Sequence, residues 1–404
     1  MAATHGFSDS SPSPGPSAYR LSDNQNGIAR SGQTPLTTST SSTRPNVRKH
    51  GVKDRTPTPG ASELIGRLGG AVLGAIRGRV GLTQEGFAEQ LGVGVSTLQA
   101  WESGRRPLVN ASFAEIQRVN RGLRAHNPDP SLLVVFEKAL VADSIYGELA
   151  TVGSPEHPLS VIVPDRTLTE LLAWPLTGEV PRQLSEIRTR LYVPSTVQDA
   201  VAQDLCDAAD QAGTGTERTA MLRRQVKFLV ASNSSTQGWL RQQTTSDTRA
   251  IPDLSAWSPS WAVARSQAVA SAHSGDLDPL RRFIDQGLAS DDLIAANLNY
   301  WAYWVGEHDT YWTDDRDMVS QRATWSGDRL LASLVTGVAT APYRELCAHA
   351  LWALLRARRD LLRSSEQARH IGRAVEIALS DEAGLTGKVR QRMEQVAYLV
   401  ESAI

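Results

Sequence analysis

The sequence is poor in cysteine, in lysine and in long apolar runs. Two cysteines, Cys206 and Cys347, stand far apart in 404 residues, which excludes a disulfide framework and a cysteine-based metal cluster. No apolar run resembles a signal peptide and none is long enough to span a bilayer. A cytoplasmic protein with no membrane partner is therefore expected. Chemical motifs are scarce too. There is no nucleophile–base constellation, no glycine-rich phosphate loop and no metal-ligand spacing, so the expectation is no enzyme, no catalytic residue, no cofactor and no metal.

Charge is balanced overall, at a formal net charge of −1, but it is unevenly placed. Residues 1–60 carry seven basic and three acidic side chains, residues 61–126 carry eight and five, and residues 127–404 carry 27 and 35. A basic first third ahead of an acidic remainder points to an anionic polymer as partner of the N-terminal part.

The stretch from Ala71 to Pro107, AVLGAIRGRVGLTQEGFAEQLGVGVSTLQAWESGRRP, organises the chain. Thr83 can cap a helix that begins at Gln84. Phe87, Ala88 and Leu91 fall on one face at helical spacing. Gly92 supplies a turn that needs positive φ, and Val93 plugs the corner. A second short helix from Val95 or Ser96 turns Leu98 and Trp101 inward. Ala88 is small where two steeply crossing helices approach. This is the pattern of a helix-turn-helix. The runs Gly81-Leu82-Thr83-Gln84-Glu85, Phe87-Ala88-Glu89, Leu91-Gly92-Val93 and Trp101-Glu102-Ser103-Gly104-Arg105-Arg106-Pro107 resemble the XRE family, the lambda-repressor-like or Cro-type regulators. The resemblance covers about residues 64–126, and Gly86 departs from it where the family has a helix former. Five lysines against 37 arginines are the bias of a GC-rich genome, and with this motif they point to a bacterial, actinobacterial source.

The resemblance implies sequence-specific binding of double-stranded DNA by a transcription regulator acting as a homodimer, with the second helix in the major groove. The family position matched by Gln84 bonds to phosphate at a helix N-terminus. On the second helix Gln99 is the long amide suited to adenine. Val95 can touch a thymine methyl, and Ser96 or Thr97 a base or a phosphate. Arg105 and Arg106, past the helix, should grip the backbone. Arg77 is expected to reach Glu102 and tie the first helix to the second. A nucleoid-associated location follows. The alternative is a helical partner-binding scaffold or an antitoxin-like protein in which DNA binding is secondary.

The expected fold is all-α: a lambda-repressor-like helix-turn-helix domain, then a larger α-helical bundle or α-solenoid-like domain. Residues 1–60, rich in Ser, Thr, Pro and Gly, are expected to be a disordered tail. Its basic end, RPNVRKHGVKDR, is either a minor-groove arm or a solubilising leader. Residues 61–126 form the DNA-binding domain, with a first helix over 62–80 and a closing helix carrying Phe113, Ile116, Val119, Asn120 and Leu123. Asn127-Pro128-Asp129-Pro130 ends it. Residues 127–404 form the oligomerisation and sensing domain. Its first helix, over 132–149, has a stripe of Leu133, Phe136, Leu140 and Ile145. Residues 159–163 are the one plausible strand. Helices are expected over 167–174 (stopping at Pro175), 181–192, 195–212, 216–243, 258–274, 277–286, 290–307, 317–338, 342–363, 365–380 and 385–402. The segments beginning at Leu280 and Leu330 are faintly alike, which suggests stacked hairpins.

A small-molecule or protein effector is a further expected partner of residues 127–404. The aromatic cluster Tyr300, Trp301, Tyr303, Trp304, Tyr311 and Trp312 either lines a pocket or fills a core, with core favoured. Glu307, His308, Asp309, Asp314, Asp315 and Asp317 form an acidic loop region whose spacing matches no metal motif.

Overall fold

A computed structural model of the chain describes residues 60–149, 157–187, 189, 191–213, 216–247, 253–273, 275–308, 310–320, 324–362, 364–380 and 385–402. The expected tail and its basic arm therefore lie outside the described residues, except Gly60. Among the described residues the fold is all-helical. A 3-10 turn at Ala61–Glu63 precedes α1 (Arg67–Arg79), α2 (Gln84–Leu91), α3 (Val95–Glu102) and α4 (Phe113–Ala125). Then come α5 (Pro130–Leu149), α6 (Arg166–Thr177), α7 (Ser195–Gln211), α8 (Glu217–Val230) and α9 (Gln237–Asp247). The chain continues with α10 (Pro259–His273), α11 (Asp278–Arg282), α12 (Asp291–Trp304), α13 (Asp328–Thr340), α14 (Arg344–Ala357), α15 (Ser365–Ser380) and α16 (Gly387–Glu401). None of these helices is long and apolar enough to cross a membrane.

Several expected boundaries give way to local side-chain chemistry. The long helix over 216–243 is two helices. Asn233 accepts from the Ser235 N–H at 2.9 Å, and the Thr236 hydroxyl donates to the Val230 carbonyl at 3.0 Å. These bonds offer the backbone an alternative to helix. Residues 317–320 and 324–327 are likewise not in an α-helix. Asp314 accepts from the Arg316 N–H at 2.8 Å and starts a 3-10 turn, Asp315–Val319. Conversely, α6 does not stop at Pro175 but runs to Thr177, closed by a bond from the Gly178 N–H to the Trp174 carbonyl at 2.8 Å. Proline in the last turn loses one N–H, which the helix end tolerates better than its middle. The described residues among 181–192 hold the 3-10 turn Arg182–Leu184 instead of an α-helix. The expected strand over 159–163 is also a turn, Pro158–Ser160, followed by a single β-bridge from Val163 to Trp312. Phe113, assigned to the closing helix's core face, is 76% exposed. A capping box between Ser112 and Glu115 starts α4 just before it and turns it outward.

Two apolar cores form. The first runs from Ala61 through Phe87, Leu98, Trp101, Val119, Phe136, Tyr146, Leu172 and Leu205 to Val230. It crosses residue 126 without a break, because α5 packs against α1 on one side and α6 on the other. The second core gathers Trp261, Phe283, Trp301, Leu334, Leu351, Ile371, Met393 and others, with Val163 and Met221 reaching in from the first half. There α13 packs on α14 and α15, and α16 packs on α14 and α15.

The start of α1 explains the bond between the first four helices and α5. Gly66 precedes α1 with φ of 80° and has no side chain to cap it. The cap comes instead from α5: the Leu68 and Gly69 N–H groups donate to the two carboxylate oxygens of Asp143, at 3.1 and 2.8 Å. Two adjacent glycines admit the neighbours. A Cβ on Gly69 would lie 2.8 Å from a Leu140 methyl, and one on Gly70 would lie 2.3 Å from the Trp101 carbonyl oxygen.

Asp143 is fully buried. Burial pushes its carboxyl up to about 7, against the pull of the backbone N–H groups of Gly69, Leu68 and Gly66. Because the folded-state value lies above the unfolded one, this group's contribution is complete below pH ~4 and is lost as pH rises towards 7. Urea melts should therefore show stability falling over that window in the wild type, with this component absent in Asp143→Asn. Asp143→Ala leaves two buried N–H groups unpaired and should cost about 2–4 kcal/mol; a loss under about 0.5 kcal/mol would refute the capping role.

Candidate nucleic-acid interface

The local sequence shapes the α2–turn–α3 unit as expected. The Thr83 hydroxyl accepts from the Gly86 N–H at 3.0 Å and caps α2. Gly92 adopts φ of 62°, and its neighbour Val93 donates its N–H to the Ala88 carbonyl at 3.0 Å. Phe87, Ala88, Leu91, Leu98 and Trp101 are all buried, with Val93 packed at their margin. These burials fix the crossing of α2 and α3, and so fix which face of α3 remains outside.

On that outside face Ser96 and Gln99 are exposed and Thr97 is half-buried. Val95, also half-buried, packs in part against the core, so only part of it faces outward. Arg105 and Arg106 are exposed beyond the helix. The Arg105 Nε donates to the Ser103 hydroxyl at 3.2 Å, and Arg106 pairs with Glu115 at 3.2 Å. Ser112 and Arg106 hold the Glu115 carboxyl below the usual range, the Ser112 bonds first. The structure thus joins Gln84 to Gln99, with Ser96 and Thr97 at the start of the same helix as Gln99 and the two arginines past its end.

A chain of polar contacts lies beneath them. Arg77 donates through Nε and Nη2 to the two oxygens of Glu102, at 2.5 and 3.1 Å, and through Nη1 to the Leu82 carbonyl at 2.7 Å. Glu102 also accepts from the Gln84 amide at 2.7 Å, and Gln84 in turn accepts from the Gln99 amide at 3.2 Å. The Arg77–Glu102 tie matches the expectation from sequence. The two-glutamine relay does not appear in the residue pattern, since neither spacing nor periodicity shows which amide meets which. Its effect is to fix the orientation of Gln99, leaving its carbonyl oxygen and its second amide hydrogen for an outside partner.

Residues 70–129 match the family model of a helix-turn-helix domain. No curated protein and no solved structure matches the chain. The chain thus carries the recognition module of DNA-binding regulators on a larger helical body.

The remaining candidate groups separate by position. Tyr303 and Trp312 are core, stacked at 4.2 Å. The Tyr303 hydroxyl donates to the Val163 carbonyl and accepts from the Trp312 N–H, which secures the β-bridge. Tyr300, Trp301 and Trp304, by contrast, line a cavity of about 130 Å³. Tyr311 is 38% exposed. In the acidic region, Glu307 caps the start of α13 through the Gly327 and Leu330 N–H groups, at 3.2 and 3.0 Å. Asp315 pairs with Arg224 at 2.7 Å. Asp309 lies outside the described residues. No group of three or more His, Cys, Asp or Glu residues is arranged for a metal among the described residues.

The polar chain predicts an ordered set of stability losses. Glu102→Ala strands the guanidinium of Arg77, whose side chain is only 17% exposed, and should cost about 3 kcal/mol in a urea melt. Gln84→Ala, one link further out along the chain, should cost about 1 kcal/mol or less. Equal losses for the two variants would show that Glu102 is not the hub.

Proposed function

We propose that this protein is an XRE-type, Cro-like transcription regulator that binds specific double-stranded DNA as a homodimer in the bacterial cytoplasm, on the nucleoid. It carries out no catalytic step, and its helical body supplies dimer contacts and sensing. The observation that carries the reading is the fixed amide of Gln99 on the exposed face of α3, held through Gln84 and Glu102 to Arg77. An oriented amide with one free acceptor and one free hydrogen suits the N6 and N7 edge of adenine. Ser96 and Thr97 stand one turn earlier on the same helix, where groove recognition by the N-terminal part of such a helix is usual.

Phosphate contacts fall to the periphery. Gln84 opens α2, whose first N–H groups lack helical partners and favour an anion. Arg105 and Arg106 follow α3. The Arg106–Glu115 pair is exposed, so a phosphate can replace Glu115 at little loss. Two copies are needed because one such motif makes few contacts, and half-sites about 34 Å apart demand a two-fold.

The two ends of the interface should respond differently to substitution in the full-length chain. Gln99→Ala should weaken the preferred operator by about 1–3 kcal/mol and relax choice at one base pair, with random DNA unaffected. Arg106→Ala should weaken all duplexes alike and lower the salt slope by about one. Salt titrations on operator and random duplexes, beside light scattering of the complex, check this. An equal loss on both duplexes for Gln99→Ala, or one protomer per operator, would contradict the reading.

A further inference from the structure

The cavity of about 130 Å³ is walled by α8, α10 and α12, with Pro164, Thr169 and Tyr343 at its margin. Its apolar surface is supplied mainly by Phe228, Val269, Tyr300, Trp301 and Trp304. Two arginines face it, Arg224 and Arg265, and both are more than nine-tenths buried. No acidic side chain lines it.

The two guanidiniums are not equally compensated. Arg224 donates through Nη2 to Asp315 at 2.7 Å, which leaves its Nη1 buried without a partner. Arg265 has no carboxylate partner among the described residues. Its Nε donates to the neutral Asn297 at 2.7 Å, and its Nη2 is buried and unpartnered. The guanidinium lies 4.2 Å from the Tyr300 ring centroid and 5.0 Å from that of Trp301. Those faces return only part of the hydration lost on burial. Burial brings Arg265 down to about 10, with Arg224 pushing the same way, so it stays a cation at neutral pH. Asp315 therefore answers one of two buried charges. A core built only for packing would hold an apolar residue at position 265, since uncompensated burial of charge is strongly unfavourable.

We infer that this cavity is a binding site for a small organic carboxylate with one ring or a short chain, its carboxylate on the free nitrogens of Arg265 and Arg224 and its apolar body between Phe228, Trp301 and Trp304. The volume is close to that of a cavity known to accept one benzene-sized molecule. A carboxylate matches the guanidinium fork in geometry as well as in charge. Gln225, also on the wall, has a buried Oε1 without a partner, which can accept from a hydroxyl on such a ligand. The site does not depend on the DNA reading.

The test uses the full-length protein, phenylacetate as probe and phenylacetamide as its neutral isostere. Tryptophan emission and thermal melting are the readouts, because Trp301 and Trp304 stand on the wall. Phenylacetate should give a saturable emission change and raise Tm, and phenylacetamide should bind about tenfold or more weaker. Arg265→Met should abolish the phenylacetate response while leaving the Tm of the unliganded protein equal or higher. Val269→Phe, which fills the cavity and keeps both arginines, should abolish the response to both compounds. No saturable response in the wild type, equal affinity for acid and amide, or an undiminished response in Val269→Phe would overturn the assignment. So would an Arg265→Met variant that melts lower and still binds phenylacetate.

Discussion

Helix α1 begins where its own sequence cannot start it, and much of the molecule follows from that. Gly66, in the left-handed region, turns the chain sharply; the Arg67 N–H finds the Leu64 carbonyl, but the Leu68 and Gly69 N–H groups have no local acceptor. Asp143 supplies the acceptor from α5, so the first turn of the helix-turn-helix domain's leading helix is completed by a residue far along the chain. The same turn presents Gly69 to Leu140 and Gly70 to the carbonyl of Trp101. Helix α1 is thus pressed between α5 and the end of α3, with no Cβ on either contact. The orientation of α3 is set by that sandwich, and α5 extends it to α6, which packs on α8. A reader on a flexible tether would need none of these contacts.

The interface is built on the same economy of freedom. Long amide side chains lose rotamer entropy when they bind. Gln99 has its amide already held by Gln84, which is held by Glu102, which is held by Arg77. The anchor is half-buried and charged, and the outer end is exposed and neutral. The strong bonds therefore lie where water is scarce, and the weak one lies where an outside polar group can compete with it. Arg105 and Arg106 are held only by exposed partners, Ser103 and Glu115.

The helix-turn-helix was legible because its constraints are local: a capping Thr83, a left-handed Gly92, apolar residues at helical spacing and a small Ala88 at the crossing. Helix boundaries failed where polar side chains compete for backbone bonds. Asn233 and Thr236 divide one expected helix, and Asp314 replaces the start of another with a 3-10 turn. Phe113 was misplaced because apolar periodicity does not show where a capping box sets the first residue. Nothing local marks Gly69 and Gly70 as contact points, since only the fold shows what presses against them. Asp143 gives no distinct signal in LLVVFEKALVADSIY, which also holds Glu137 and Lys138, and its partners are 74 and 75 residues away. The aromatic cluster divided, Tyr303 and Trp312 into core, Tyr300 and Trp304 onto a cavity wall, and Trp301 into both. Composition and spacing could not assign that division, because residues on one helix face opposite sides.

The two cores meet along a seam whose joints are polar: the Tyr303 hydroxyl on Val163, the Arg224–Asp315 pair and, beside them, Arg265. Apolar contact is non-directional and tolerates sliding. A buried ion pair does not, because its attraction repays desolvation only in one geometry. Arg224 on α8 and Asp315 after α12 therefore fix the register of one core on the other. The surplus cation sits at that register point, where an added anion would favour whichever arrangement of α8 and α10 holds both guanidiniums closest to it. Helix α8 also packs on α6, α6 on α5, and α5 carries Asp143. Contiguity alone transmits nothing; coupling requires that the two arrangements differ in anion affinity. Arg265, without a carboxylate partner among the described residues, stands beside a geometry-sensitive pair, and guanidinium–carboxylate bonds weaken steeply with misalignment while the surrounding apolar contacts barely change.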